Sequence, residues 1–218
     1  MKKSRLAVLC FLVFLIGAPQ AFSGEAGKNI GLGLHAGLTV PSSPTIGVES
    51  TFIETDTGGT SPSFGCSLDW FFAPDFSVSL GVDYCKFSID GKSGGGKAAM
   101  GDATTIPVSL SLRYQPTLNK VFMPYIGIGG NYLICDFSES QLIRDAIASV
   151  GVNDTLDLEN SFGVVVSGGL DLMVSDRNSV GIGLSYSWNN TKMEIGGEKS
   201  DSFDLNAFQA SVGWKHYF

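Results

Sequence analysis

Apolar and polar residues alternate strictly along most of this chain, which marks strands with two different environments on their two faces. Eight segments show the pattern: Ile30 to Val40, Ser63 to Phe72, Phe76 to Phe87, Thr105 to Tyr114, Phe122 to Cys135, Ser161 to Val174, Val180 to Asn189, and Leu205 to Phe218. Each is about ten residues or longer, enough to cross a bilayer when tilted. One face of the seventh reads Val180, Ile182, Leu184, Tyr186, Trp188; the other reads Gly181, Gly183, Ser185, Ser187, Asn189. The fourth sets Ile106, Val108, Leu110, Leu112, Tyr114 against Thr105, Pro107, Ser109, Ser111, Arg113. Residues as small as those on the second face cannot fill a core, while the first face makes a continuous greasy coat. The pattern predicts an inside-out, all-β fold: an eight-stranded antiparallel transmembrane β-barrel, apolar face to lipid and small polar face to the lumen. Closure is then compulsory, because an open edge in hydrocarbon leaves unpaired backbone groups at several kcal/mol each.

Connection lengths agree independently. Residues 41–62, 88–104, 136–160 and 190–204 are long and polar. Between them lie the short turns Ala73-Pro74-Asp75, Gln115 to Lys120 and Ser175 to Ser179. This alternation predicts long extracellular loops, short periplasmic turns and both barrel ends in the periplasm. Aromatics fall at strand ends, with Trp70, Phe72, Phe76, Tyr114, Phe122 and Phe218 at one rim and Tyr84, Tyr132 and Trp188 towards the other. Such girdles belong at the two membrane interfaces. Ser93 to Gly96 predicts a loop tip. In loop three, Leu142, Ile143, Ala146 and Ile147 sit at helical spacing behind Ser140, predicting a short helix over 140–150.

The start of the chain sets the compartment. Lys2, Lys3 and Arg5 precede an apolar run from Leu6 to Ile16, and Ala21-Phe22-Ser23 is a small-x-small cleavage signal. That order predicts a secretory signal peptide over 1–23 and a barrel over 24–218. The run is well short of the roughly 20 residues of a spanning helix. Cys10, deep in the run, does not read as a lipoprotein site. The chain is 44% hydrophobic and 16% charged, with 28 glycines; its net charge of −7 argues against nucleic acid as a partner. Cys66, Cys85 and Cys135 are odd in number and widely spaced, a poor disulfide framework, and are expected to be packed thiols.

Several of these segments also carry a likeness. Ala103-Thr104-Thr105-Ile106-Pro107, Leu110-Ser111-Leu112-Arg113-Tyr114 and Pro124-Tyr125-Ile126-Gly127-Ile128-Gly129-Gly130-Asn131-Tyr132 resemble the OmpW family of small outer-membrane barrels. So do Asn160-Ser161-Phe162-Gly163, Gly169-Leu170-Asp171 and Ser211-Val212-Gly213-Trp214. The likeness covers the C-terminal half well and the first three strands in pattern only. The family usually repeats proline where Val108 stands and ends tyrosine-basic-phenylalanine where this chain has His216-Tyr217-Phe218. The resemblance implies a bacterial outer-membrane location and passage of small hydrophobic molecules through an apolar funnel with a sideways exit through the wall. It also implies an insertion signal for the barrel-insertion machinery, here Trp214, Tyr217 and Phe218.

Inward positions can be placed by height. Phe87, Pro107, Leu133, Val165, Leu205 and Ala207 form an apolar outer mouth, the candidate ligand site. Lower lie His35, Asp69, Asp83, Arg113, Asn131, Asp171 and Lys215, expected to pair into a charged plug. Eight-stranded barrels are just wide enough for side chains to fill, so the same charges also serve a purely structural reading. An enzyme would need a base beside a nucleophile. His35 in the lumen and His216 on the lipid face sit in no such motif, so no catalytic residue is assigned. Asp154, Asp157 and Glu159 lack a Gly-centred calcium loop, so no metal or cofactor is expected. The alternative to transport is a barrel whose long loops mediate adhesion or receptor binding.

Overall fold

The computed structural model describes residues 29–42, 45–48, 51–57, 59–93, 96–118, 121–141, 157–195, 198–199 and 203–218. The expected signal segment, and the loop-three helix from Leu142 onward, lie outside the described residues. Eight long strands form the wall: β1 (Ile30–Pro41), β2 (Ser61–Ala73), β3 (Phe76–Ser93), β4 (Gly96–Tyr114), β5 (Phe122–Glu139), β6 (Ser161–Ser175), β7 (Asn178–Thr191) and β8 (Ala207–Tyr217). Each pairs antiparallel with its neighbour in sequence. β8 closes on β1 from Gly31↔Tyr217 to Pro41↔Ala207. The backbone therefore satisfies itself all the way round, as hydrocarbon demands.

The two faces are disposed inside out. Outward Ile126, Ile182 and Val212 are 66%, 61% and 62% exposed, while inward Asp69, Ser77 and Ser179 are fully buried. In water this distribution would be untenable; in a bilayer the outward side chains meet acyl tails. Aromatic pairs bracket the band. Phe76–Tyr114 (5.1 Å) lies at the short-turn end, and Tyr132–Phe162 (4.7 Å) and Tyr186–Trp188 (4.6 Å) lie at the other. On β3 the girdle positions Phe76 and Tyr84 stand roughly 26 Å apart along the strand at the usual rise per residue.

The wall differs from the expected one above the outer girdle. β3, β4 and β5 run to 18, 19 and 18 residues. Most of the stretch 88–104 is therefore a strand hairpin rather than an open loop. The reason is a reversal of polarity along each strand. Below Tyr84 the inward residues of β3 are Ser77, Ser79, Gly81 and Asp83; above it they are Cys85, Phe87 and Ile89, all buried. Outward, Tyr84 gives way to Lys86 and Ser88, and Lys86 Nζ pairs with Asp102 Oδ2 at 2.8 Å. There the Lys86 ammonium, joined by the Ser88 hydroxyl, holds the Asp102 carboxyl below the usual carboxylate range. Out of the bilayer the barrel becomes a soluble one, with a greasy core and a charged coat. Short loop strands continue it: Thr51–Thr57 pairs with Thr45–Val48 and with β3 from Thr57↔Ile89 to Glu54↔Lys92. Asp157–Leu158 pairs with Met193–Ile195.

Candidate functional site: the lumen

Three layers fill the barrel. The upper layer is the apolar core of the outer extension: Cys85, Phe87, Ile89, Ala103, Leu133, Cys135, Leu158 and Leu205. Leu158 comes from loop three and Leu205 from the residues just ahead of β8. Cys135 N donates to the side-chain Oδ1 of Asn160, two residues beyond Leu158 (3.0 Å), and Leu205 N donates to the Asn189 carbonyl (2.8 Å). Among the described residues the upper part of the expected mouth is thus packed rather than empty. Phe87, Leu133 and Leu205 pack on one another because, above the membrane, apolar side chains have only each other to leave water for.

The lowest layer is a charged floor. Lys215 Nζ lies 2.7 Å from Asp69 Oδ2 and 2.9 Å from Asp171 Oδ2, and Arg113 Nη1 lies 3.3 Å from Asp69 Oδ1. Gln115 Nε2 donates to Asp171 Oδ2 at 2.8 Å, and the Tyr217 hydroxyl approaches the same oxygen at 3.4 Å. The Arg113 guanidinium stands 5.0 Å from the centre of the Tyr125 ring. That ring crosses the lumen over two glycines: a Cβ at Gly183 would come within 2.6 Å of the Tyr125 hydroxyl, and one at Gly169 within 2.7 Å of the ring. Two cations against two carboxylates leave this floor neutral, crossed by an aromatic ring, and a poor path for ions.

Between them lies a hydrogen-bonded belt. His35 Nε2 donates to Asp83 Oδ1 at 2.7 Å, and Gln209 Nε2 to the same oxygen at 2.9 Å and to Ser63 Oγ at 3.1 Å. Ser185 Oγ donates to Gln209 Oε1 at 3.2 Å. His35 reaches Asp83 across Gly65, where a Cβ would lie 2.6 Å from Asp83 Oδ1. A cavity of about 180 Å3 joins the layers, lined above by Phe87, Pro107, Leu133, Val165, Leu205 and Ala207 and below by His35, Asp83, Arg113, Asp171 and Lys215. Beside Asp83 the β3–β4 ladder lapses: Val82 pairs with Val108 and next Cys85 with Thr105, skipping Asp83–Tyr84 opposite Ile106–Pro107. Pro107 has no N–H to give there.

The structure thus brings all six expected mouth residues to one cavity and divides the expected plug in two. Asp69, Arg113, Asp171 and Lys215 make the floor; His35 and Asp83 belong to the belt above. The terminal trio also divides. Trp214 and Phe218 face outward at 44% and 63% exposed, whereas Tyr217 is buried in the floor. His216, 4.6 Å from Phe218 ring to ring, is bonded to Asn178 on the outer face. Sequence reasoning missed Gln209, Gln115, Tyr125 and Leu158. Gln209 shares inward parity with Ala207 and Ser211, so the alternation held the signal for it. Gln115 opens a turn and Leu158 lies in a long polar loop by the sequence pattern, so neither carries a strand parity to place it.

A sequence model of the OmpW family matches residues 39–218. Among curated proteins, none matches the chain. Among solved structures, the outer membrane protein OprG from Pseudomonas aeruginosa is similar at TM-score 0.69 and 18% identity, covering 90% of this chain and 99% of that one. AlkL, solved in lipid bilayers, is similar at TM-score 0.60 and 14% identity over 93% and 95% of the two chains. Neisserial surface protein A follows at TM-score 0.55 and 14% identity over 87% and 97%. At such identities these structures bear on the fold alone, and the fold they share is the closed small barrel derived above. With the family matched over most of its length, this chain belongs to the OmpW family of bacterial outer-membrane β-barrels.

Proposed function

We propose that the barrel passes small hydrophobic molecules across the outer membrane without catalysing any reaction on them. The observation that carries this reading is the cavity roofed by Phe87, Pro107, Leu133, Val165, Leu205 and Ala207 above a neutral ion-paired floor. A small apolar molecule enters by replacing packing contacts of the upper core, which costs it little. It cannot continue downward, since the floor offers only charges already paired. The lapse in the β3–β4 ladder beside Pro107 supplies the sideways exit, because the proline gives no N–H and the two strands are held there by less than a full ladder. The partners in this account are outer-membrane lipids, the insertion machinery that reads the outward Trp214 and Phe218, and the cargo; the signal peptide over 1–23 delivers the chain.

Methyl NMR of the refolded barrel titrated with toluene tests the reading. Saturable shifts at Leu133 and Val165, lost in Leu133→Asp, support it. Shifts confined to lipid-facing methyls such as Leu110 and Ile182 refute it. The projection of β3–β5 beyond the membrane favours the second reading, a loop-presenting receptor. In that case exchanging the outer loops changes activity, and Leu133→Asp does not.

A further inference from the structure

Asp83 differs from the other two lumenal carboxylates in its company. Lys215 and Arg113 are committed to Asp69 and Asp171. Among the described residues no lysine or arginine reaches Asp83, which is held by the His35 imidazole and the neutral Gln209 amide. Three inward aspartates therefore face two fixed cations. A carboxylate away from bulk water is expensive without a counter-charge. Asp83 also stands where a ligand's head would arrive. It is the first ionisable group below Phe87 and Cys85 on β3, it lines the cavity, and its side chain keeps 15% of its surface accessible. Its surroundings are small, with Gly65 and Gly81 on the inner face beside it and Ser63 and Ser109 at the next inward positions.

We propose that Asp83 is a head-group site for single-chain amphiphilic primary amines, whose alkyl tail lies in the Phe87–Leu133–Leu205 pocket and whose ammonium supplies the charge the belt lacks. The assignment rests on the transport reading above and narrows it from apolar molecules in general to cationic amphiphiles. An ammonium has three donors and no acceptor, so it can donate to Asp83 and turn its remaining hydrogens to cavity hydroxyls such as that of Ser109. A carboxylate in the same place would add a second negative charge beside Asp83. Protonated His35 is the rival source of the counter-charge; if it holds the site, amines gain nothing there.

The test is NMR titration of the refolded barrel in zwitterionic micelles with octylammonium, octanol and octanoate, at one pH where both ionic heads are charged. Octylammonium is expected to bind at least tenfold more tightly than octanol, shifting the amides of His35, Gly65, Asp83 and Gln209. Octanoate is expected to bind weakest. Asp83→Asn should remove the amine's advantage over octanol, with unaltered Lys215 and Asp171 resonances reporting an intact floor. His35→Gln should bind octylammonium at least as tightly as the parent. Equal binding of all three probes at Leu133 and Val165 overturns the proposal and leaves the apolar-pocket reading standing. Absence of any saturable binding overturns both, as does binding confined to the outer surface.

Discussion

Replacing Lys215 with methionine is the sharpest perturbation of the floor. Methionine keeps much of the side chain's length and removes its charge. Lys215 Nζ serves two carboxylates at once, 2.7 Å from Asp69 and 2.9 Å from Asp171, and its side chain is 9% exposed. After the change Asp69 retains Arg113 Nη1 at 3.3 Å, and Asp171 retains only the neutral Gln115 and Tyr217. Taking one member from a buried pair costs about 3–5 kcal/mol, since the other charge stays buried without compensation. The cavity above the floor is polar on this side and lets water relieve part of that, so the loss should sit near the low end, about 3 kcal/mol. Urea unfolding of the barrel refolded into lipid vesicles measures it. Tryptophan emission is a suitable signal, because Trp70, Trp188 and Trp214 all face lipid. The double variant Lys215→Met, Asp171→Asn leaves Arg113 paired with Asp69 and the floor neutral, and should regain most of the loss, as a whole buried ion pair exchanges for neutral groups at little cost. A Lys215→Met barrel within about 0.5 kcal/mol of the parent would refute the claim of a buried, mutually neutralised floor.

Other parts of the account are open to simpler checks. Pro107→Ala restores an N–H opposite Asp83; hydrogen exchange at Asp83 and Tyr84 should slow, the barrel should gain roughly 0.5–1.5 kcal/mol, and release through the wall should fall. Unchanged exchange and unchanged release would remove the β3–β4 seam from the route. Gly65→Ala places a methyl within 2.6 Å of Asp83 Oδ1 and should part Asp83 from His35, read as a change in the His35 ring nitrogen shifts. Cys66 faces the lipid side, and Cys85 and Cys135 lie in the upper core. None should react with a water-soluble maleimide in the folded barrel, and mass spectrometry showing labelled Cys135 would mean that core stands open.

The membrane-embedded part of the fold was legible because the bilayer imposes a simple code. Ile182 and Leu184 must face tails while Gly183 and Ser185 fit a narrow lumen, so parity alone placed both sets. The code changes above the girdle, and there the expectation faltered. Cys85, Phe87 and Ile89 keep the inward parity of Asp83 yet are apolar, whereas Lys86 and Ser88 keep the outward parity of Tyr84 yet are polar. Read with one rule for the whole strand, Phe87 looks like a greasy residue facing a wet lumen; read with the membrane boundary at Tyr84, it is ordinary core. The pairing of Lys215 with Asp69 and Asp171 was legible as a need, since buried charges must meet. Its partition was not. Which aspartate is left to His35 depends on how far the strands stagger around the barrel, and alternation within each strand carries no information about stagger. Tyr217 shows the same limit: it shares the terminal aromatic cluster with Trp214 and Phe218, but strand parity turns it into the floor.

The central claim is that an apolar chamber above a closed floor carries small hydrophobic cargo. Its most direct test is the initial rate of radiolabelled n-octane uptake by cells whose outer membrane holds either this barrel, the Leu133→Asp variant at equal surface level, or neither. The account predicts uptake several-fold faster with the parent barrel and a return to the barrel-free rate in Leu133→Asp. Equal uptake in all three would contradict it.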